Sequence, residues 1–385
     1  MKCYLFDWRQ PLRYIPLLLL LLTNPLFASS GDSSPEQRRQ QANQALQQAL
    51  QIKPPSEQEL RKLLREEQFT KLEAILSEIE KKYQTDMNYE SAYTKAYGAF
   101  HKKGGGKPSF KVFPENTEEN SLRPHLDKWV ENFPTSHAAY CARGIYKVSL
   151  AWEYRGTKFV QETPEENLLK MHRQMQDAKQ DLQRAVKLYP ALVPAYIELI
   201  DIAKNTEGLE EAKRWFQQAI QADPRTYYVR VGYMSALEPR WLGSLEQMEA
   251  FAQESAQYTS VNPRVWTFQG EVYVYQAQLL KSVIQKKQIP KQQQQKELQA
   301  VIALYKKALG YGDRTIWLKG LINLQIKMQD YQVAIDNINQ YLVYEPDDRE
   351  MWLYKQLVAC RAKGQEDCTS FSGGSTATPP KRKLP

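Results

Sequence analysis

Between Asp177 and Pro224 one arrangement of apolar positions is written twice, 34 residues apart. Ala178, Leu182, Ala185 and Pro190 recur as Ala212, Phe216, Ala219 and Pro224. A small, a large and a small residue at offsets 0, 4 and 7 share one helix face, and the proline at offset 12 ends the helix. The same offsets return with other side chains at Leu72, Leu76 and Ile79, at Val301, Tyr305 and Ala308, and at Ala334, Ile338 and Tyr341. Stripes such as Leu60, Leu63 and Leu64, Tyr196, Leu199, Ile200 and Ala203, or Leu318, Leu321 and Ile322 lie between the copies. The pattern predicts an all-α chain in which helices alternate in pairs.

A 34-residue period closing on A-x3-F and a proline resembles the tetratricopeptide repeat, a pair of antiparallel helices. The resemblance implies a right-handed α-solenoid of about six such pairs over residues 56–365, with a lone capping helix from Arg349 to Ala362. The spacing predicts a further helix over Tyr89–Phe100 and a long one over Val265–Lys287. Thr163-Pro164-Glu165-Glu166 reads as a helix start, with Thr as cap and acids opposing the dipole. Ser244 reads as a second cap, and Glu238-Pro239 ends the helix before it. Residues 31–55 are glutamine-rich, either a linker or a loose leading helix carrying Ala42, Leu46, Ala49 and Leu50. The last residues, 366–385, are Ser, Gly, Thr and Pro followed by Lys381-Arg382-Lys383, a composition that predicts disorder.

Residues 1–30 differ from all of this. Lys2, Arg9 and Arg13 precede an apolar run from Ile15 to Leu22, and Ala28-Ser29-Ser30 supplies small residues before Gly31. This is the layout of a secretory signal peptide, and the apolar run is too short for a span. Cleavage is expected, with retention as an anchor the alternative. An exported protein follows, periplasmic or secreted, with no stable membrane span after cleavage. The net charge is +8, most of it outside the signal. Outside the cytoplasm such a charge favours acidic peptides or anionic envelope surfaces over nucleic acid.

Cys360 and Cys368 are close enough in sequence to bridge in an oxidising compartment, although their spacing leaves open whether they face each other. Cys141 falls at a buried repeat position and reads as a packed thiol. The four histidines, His101, His125, His137 and His172, have no metal-ligand neighbour at helical spacing. Gly104-Gly105-Gly106-Lys107 lacks the full spacing and hydroxyl of a phosphate loop and reads as a flexible basic loop. No hydrolase, kinase or metalloprotease motif is present. The chain is therefore expected to bind rather than catalyse, without cofactor or metal.

Two surfaces are candidates. The first helices of a solenoid's pairs line a concave groove, and counting back from each proline gives Arg143, Tyr146, Ile197, Asp201, Lys204 and Tyr228 as lining. Such a surface suits a protein or extended-peptide partner. Trp152-Glu153-Tyr154-Arg155-Gly156-Thr157 and Pro239-Arg240-Trp241-Leu242-Gly243-Ser244 interrupt the repeats and supply Trp152, Arg155, Arg240 and Trp241 as a patch for a small anionic ligand or a glycan. The bland reading of both segments is structural, with Trp filling an enlarged turn and Arg capping helix ends. Together with Ala142-Arg143-Gly144-Ile145-Tyr146, they resemble a bacterial family of tetratricopeptide-like proteins whose domain has no known function. The resemblance spans roughly residues 58 to 275 and implies a helical-repeat fold without any activity. Oligomeric state is not legible in the sequence.

Overall fold

The computed structural model describes residues 33–102, 121–156, 162–241, 243–287, 289–364 and 368. The expected signal peptide, the glycine–lysine loop, residues 157–161 and the basic tail apart from Cys368 lie outside the described residues. Ser33 and Ser34 belong to a separate N-terminal unit, and every described helix lies in the unit of residues 35–385.

All regular structure among the described residues is helical, with sixteen α-helices and no strand. In order these are α1 (Pro35–Gln51), α2 (Glu57–Arg65), α3 (Phe69–Thr85), α4 (Glu90–Gly98), α5 (Arg123–Asn132) and α6 (His137–Arg155). Next come α7 (Glu165–Leu188), α8 (Val193–Thr206), α9 (Leu209–Ala222), α10 (Tyr228–Ala236) and α11 (Leu245–Ala256). The chain closes with α12 (Phe268–Lys286), α13 (Lys291–Leu309), α14 (Thr315–Lys327), α15 (Tyr331–Tyr344) and α16 (Arg349–Ala362). Short 3-10 turns at Met87–Tyr89 and Pro263–Thr267 introduce α4 and α12, so the expected helix from Val265 begins as a tighter turn.

From α5 onward each helix packs on the next, α10 and α11 meeting through the Tyr233 and Phe251 rings, and α8 also packs directly on both α6 and α10. The repeated face does what its pattern requires. Ala178, Leu182 and Ala185 on α7 and Ala212, Phe216 and Ala219 on α9 are all buried. The small residues let neighbours approach, and at Gly144 a methyl would lie 2.6 Å from Leu182 Cγ. Two apolar clusters result, one from Leu60 to Tyr275 and one from Val274 to Val358, and α12 contributes to both.

Caps fix several helix starts. Ser136 Oγ accepts from Ala139 N–H, Ser244 Oγ from Gln247 N–H and Asp348 Oδ1 from Met351 N–H. At α7 the expected Thr cap is displaced: Pro164 holds the N-cap position and Thr163 is buried just before it. The proline's fixed φ already sets the entry, and Glu165 and Glu166 occupy the first turn.

Residues 35–51 form a docked helix. α1 packs against the Pro263–Thr267 turn and against α4, and it buries Ala42, Ala45 and Ala49 while Leu46 and Leu50 stay half-buried. Alanine faces the seat because the helix comes close: a Cβ on Gly312 would meet Asn43 Oδ1 at 3.4 Å and Leu46 Cδ1 at 3.8 Å. At the other end Cys360 and Cys368 are disulfide-bonded, with Cα atoms 6.0 Å apart, and Cys141 is a buried free thiol. No helix among the described residues is long and apolar enough to cross a membrane.

Candidate functional site

The groove expected on the first helices is partly internal. α4 packs against both α6 and α8, burying Glu90, Ala92, Tyr93, Ala96 and Tyr97 of its own. The N-terminal end of α4 is locked by a carboxylate. Glu90 accepts from Thr226 Oγ1 at 2.6 Å and from the backbone N–H groups of Tyr227 and Tyr228 at 2.8 and 3.0 Å, which puts negative charge at the start of α10. Arg264, equally buried, pairs with Glu90 at 2.8 Å. Tyr228 is therefore engaged through its backbone in this lock.

Arg143 and Tyr146 are also committed elsewhere. Arg143 donates to both Asp181 oxygens at 2.9 and 2.7 Å and to Asp127 at 3.1 Å, a fork that ties α6 to α7. Tyr146 is 3% exposed, and its hydroxyl meets Ser121 Oγ at 3.0 Å. Both depart from the expectation of an open lining over α6, because Asp181 of α7, Asp127 of α5 and Ser121 before α5 engage these side chains. Ile197 is half-buried against the apolar core.

At the C-terminal ends of α6, α8 and α10 the two interrupting segments approach each other through half-buried side chains of α8. Trp152 Nε1 donates to Asp201 Oδ2 at 3.3 Å. Lys204 Nζ lies 2.6 Å from Asp201 Oδ1 and 4.6 Å from the centre of the Trp241 ring. Asp201 and Lys204 of α8 thus join Trp152 of α6 to Trp241 beyond α10. The loop carrying Trp241 is shaped by Gly243, where any Cβ would fall 2.1 Å from the Leu237 carbonyl oxygen. On the α6 side Gly156 ends the helix at φ +70, a conformation that favours glycine.

The cations here are paired. The Arg240 guanidinium salt-bridges Glu238, and its backbone N–H donates to Tyr275 Oη at 3.1 Å. Arg155 donates to the Gly156 carbonyl at 3.2 Å and lies over the Trp152 ring at 5.8 Å. Lys102 pairs with Glu153. Helix C-termini carry partial negative charge, so basic residues here offset the dipoles.

Glu198 and His101 belong to the same site. Glu198 sits one turn before Asp201 on α8, with 14% of its side chain exposed, and its Oε1 is 3.9 Å from His101 Nε2. Burial, and then the nearby Asp201 charge, push the Glu198 carboxyl up to about 8, against a weaker pull from Lys204. Burial and the Arg61 charge push His101 below its usual value. Burial likewise raises Glu238, with Arg240 opposing. Helical spacing from Asp201 was the signal for Glu198; His101, beyond the end of α4, had none. The site offers two indole rings, charge-balanced polar groups and one carboxyl that exchanges its proton near neutrality. Among the described residues no group of three or more His, Cys, Asp and Glu side chains is placed to hold a metal ion.

No curated protein matches the chain. The resemblance expected from residue 58 to 275 is narrower in fact, stopping at the end of α8 and leaving the Pro239–Ser244 segment outside. Residues 56–207, which include Trp152, Arg155, Glu198, Asp201 and Lys204, match the family model described as Domain of unknown function (DUF4034).

Proposed function

We propose that this chain is an exported helical-repeat protein of the bacterial envelope that binds a protein or extended peptide. Its helices follow one another as antiparallel pairs of a right-handed, tetratricopeptide-like solenoid. The binding surface is the half-buried strip at the helix C-termini, centred on Trp152, Asp201, Lys204 and Trp241. One observation carries the reading: two segments about 90 residues apart, which the repeat pattern does not need, converge through Asp201 and Lys204 on the same helix. Aromatic rings flanked by paired charges suit a peptide, whose amides and side chains bring both donors and acceptors.

A small anionic ligand at Arg155 and Arg240 fits less well. Arg240 is spent on Glu238, and Glu153, Asp201 and Glu238 oppose an added anion.

The test uses the chain from residue 31 onward, which holds all of unit 35–385. Crosslinking to envelope proteins followed by mass spectrometry should enrich one partner with crosslinks around Lys204. The W152A and W241A variants should lose it. Failure to enrich any protein at low and moderate salt, or enrichment indifferent to both variants, would count against the reading.

A further inference from the structure

Between Lys281 and Lys307 the chain holds seven lysines, no arginine and one acid, Glu297. This segment carries a net +6 of the chain's +8. It spans the C-terminal end of α12, the following turn and most of α13. Both helices have 19 residues, against 12 in α11 and 13 in α14, which pack beside them. The excess is about 10 Å of helix at 1.5 Å per residue. Burial puts that excess at the turn: among the described side chains from Gln278 to Glu297, Ile284 alone is buried. Lys287 Nζ lies 2.9 Å from Glu297 Oε2 and ties the two arms together at this tip. Lys286, Lys287 and Lys296 are exposed there, and Lys306 and Lys307 are exposed further along α13.

We propose that this hairpin docks the protein on an anionic phospholipid surface. A tip of like charges standing clear of its neighbours meets a charged plane without breaking internal contacts, and anionic headgroups relieve its self-repulsion. The residue types favour lipid over other polyanions. Lysine is a hydrated point charge on a flexible stem and follows scattered headgroups, whereas the forked arginine that recognises one carboxylate or phosphate geometry is missing. Protein interfaces are enriched in arginine and aromatic rings and depleted in lysine. The single aromatic residue of the segment, Tyr305, is buried, so no ring is offered to a partner's side chains or to the bases of a nucleic acid strand. Val283 and Ile289 near the turn are half-buried, which makes the contact electrostatic and peripheral rather than inserted. The Trp152–Trp241 strip shares no residue with the hairpin, and either can bind without the other.

Co-sedimentation of the chain from residue 31 onward with lipid vesicles tests it. Vesicles of phosphatidylglycerol and phosphatidylcholine in about equal parts should pellet the protein at about 50 mM NaCl, and about 500 mM NaCl should release it. Pure phosphatidylcholine should leave it in solution. The K286Q/K287Q/K296Q variant, altered only at exposed positions, should partition at least about 10-fold more weakly. K381Q/R382Q/K383Q removes the same charge from the basic tail and should weaken binding much less. Absence of binding to the anionic vesicles at low salt overturns the proposal. So does equal binding to pure phosphatidylcholine, or an equal loss in the hairpin and tail variants. Tighter capture of duplex DNA or polyglutamate than of these vesicles, lost in the hairpin variant, overturns it in favour of another polyanion.

Discussion

Asn43 and Asp313, 270 residues apart, hold each other by reciprocal hydrogen bonds. The Asn43 amide donates to Asp313 Oδ2 at 3.0 Å, and its Oδ1 accepts from the Asp313 backbone N–H at 2.7 Å. Arg39 and Tyr344 also bond the Asp313 carboxylate, and the Arg38 guanidinium lies 5.0 Å from the centre of the Trp266 ring. These contacts make α1 a brace between the early helices and the later ones. Asn43→Ala should cost about 1–2 kcal/mol, since it leaves the part-buried Asp313 groups short of partners. Hydrogen exchange over residues 35–51 reports it directly. If those amides stay as protected as in the parent chain, Asn43 does not hold the helix down.

The Glu90–Arg264 pair carries more. With Arg264 1% and Glu90 0% exposed, removal of one partner strands a buried charge. Arg264→Met should therefore destabilise by about 3–5 kcal/mol, and adding Glu90→Gln should recover part of the loss. Urea unfolding of the single and double variants measures both. A single variant within about 1 kcal/mol of the parent would mean that the pair does not lock α4 to the Pro263–Thr267 turn.

Glu198 makes a pH prediction whose direction is unusual for a carboxylate. Its carboxyl titrates at about 8 when folded, against an ordinary value of 4.5. Below the lower value both states are protonated and Glu198 costs nothing. Between the two, the unfolded chain releases the proton and the folded chain keeps it, so stability falls as pH rises. Above about 8 the loss is complete and levels off at a few kcal/mol at most. The groups facing it are Asp201 and Lys204 on its own helix, His101 beyond α4 and the Cys141 thiol of α6. Glu198→Gln should thus match the parent near pH 4.5 and exceed it increasingly toward pH 8. Unfolding curves for both chains across that window decide the matter, and a constant difference would remove Glu198 as the titrating group.

How far the sequence could be read depends on how far apart the interacting residues are. Ala212, Phe216 and Ala219 were legible because a helix face repeats every three or four residues, and burial follows from that period alone. Asp201 and Lys204 were legible from the same offsets, and Trp152 and Trp241 because they broke the pattern. Their meeting was not legible, since nothing local says that the ends of α6 and α10 flank α8. The position of Arg143 was legible but its employment was not: Asp181 answers it from the next helix.

The helices, their buried faces and most of their ends were set by the sequence without help, because these follow from local periodicity, prolines and capping residues. Where the surface stays open was settled only by tertiary packing. α4 covers α6 and α8, α1 reaches across to Asp313, and Glu90 caps a helix start 137 residues away at Tyr227. Such contacts depend on which buried charges and small faces find each other after the chain has folded, and no short-range pattern encodes that pairing.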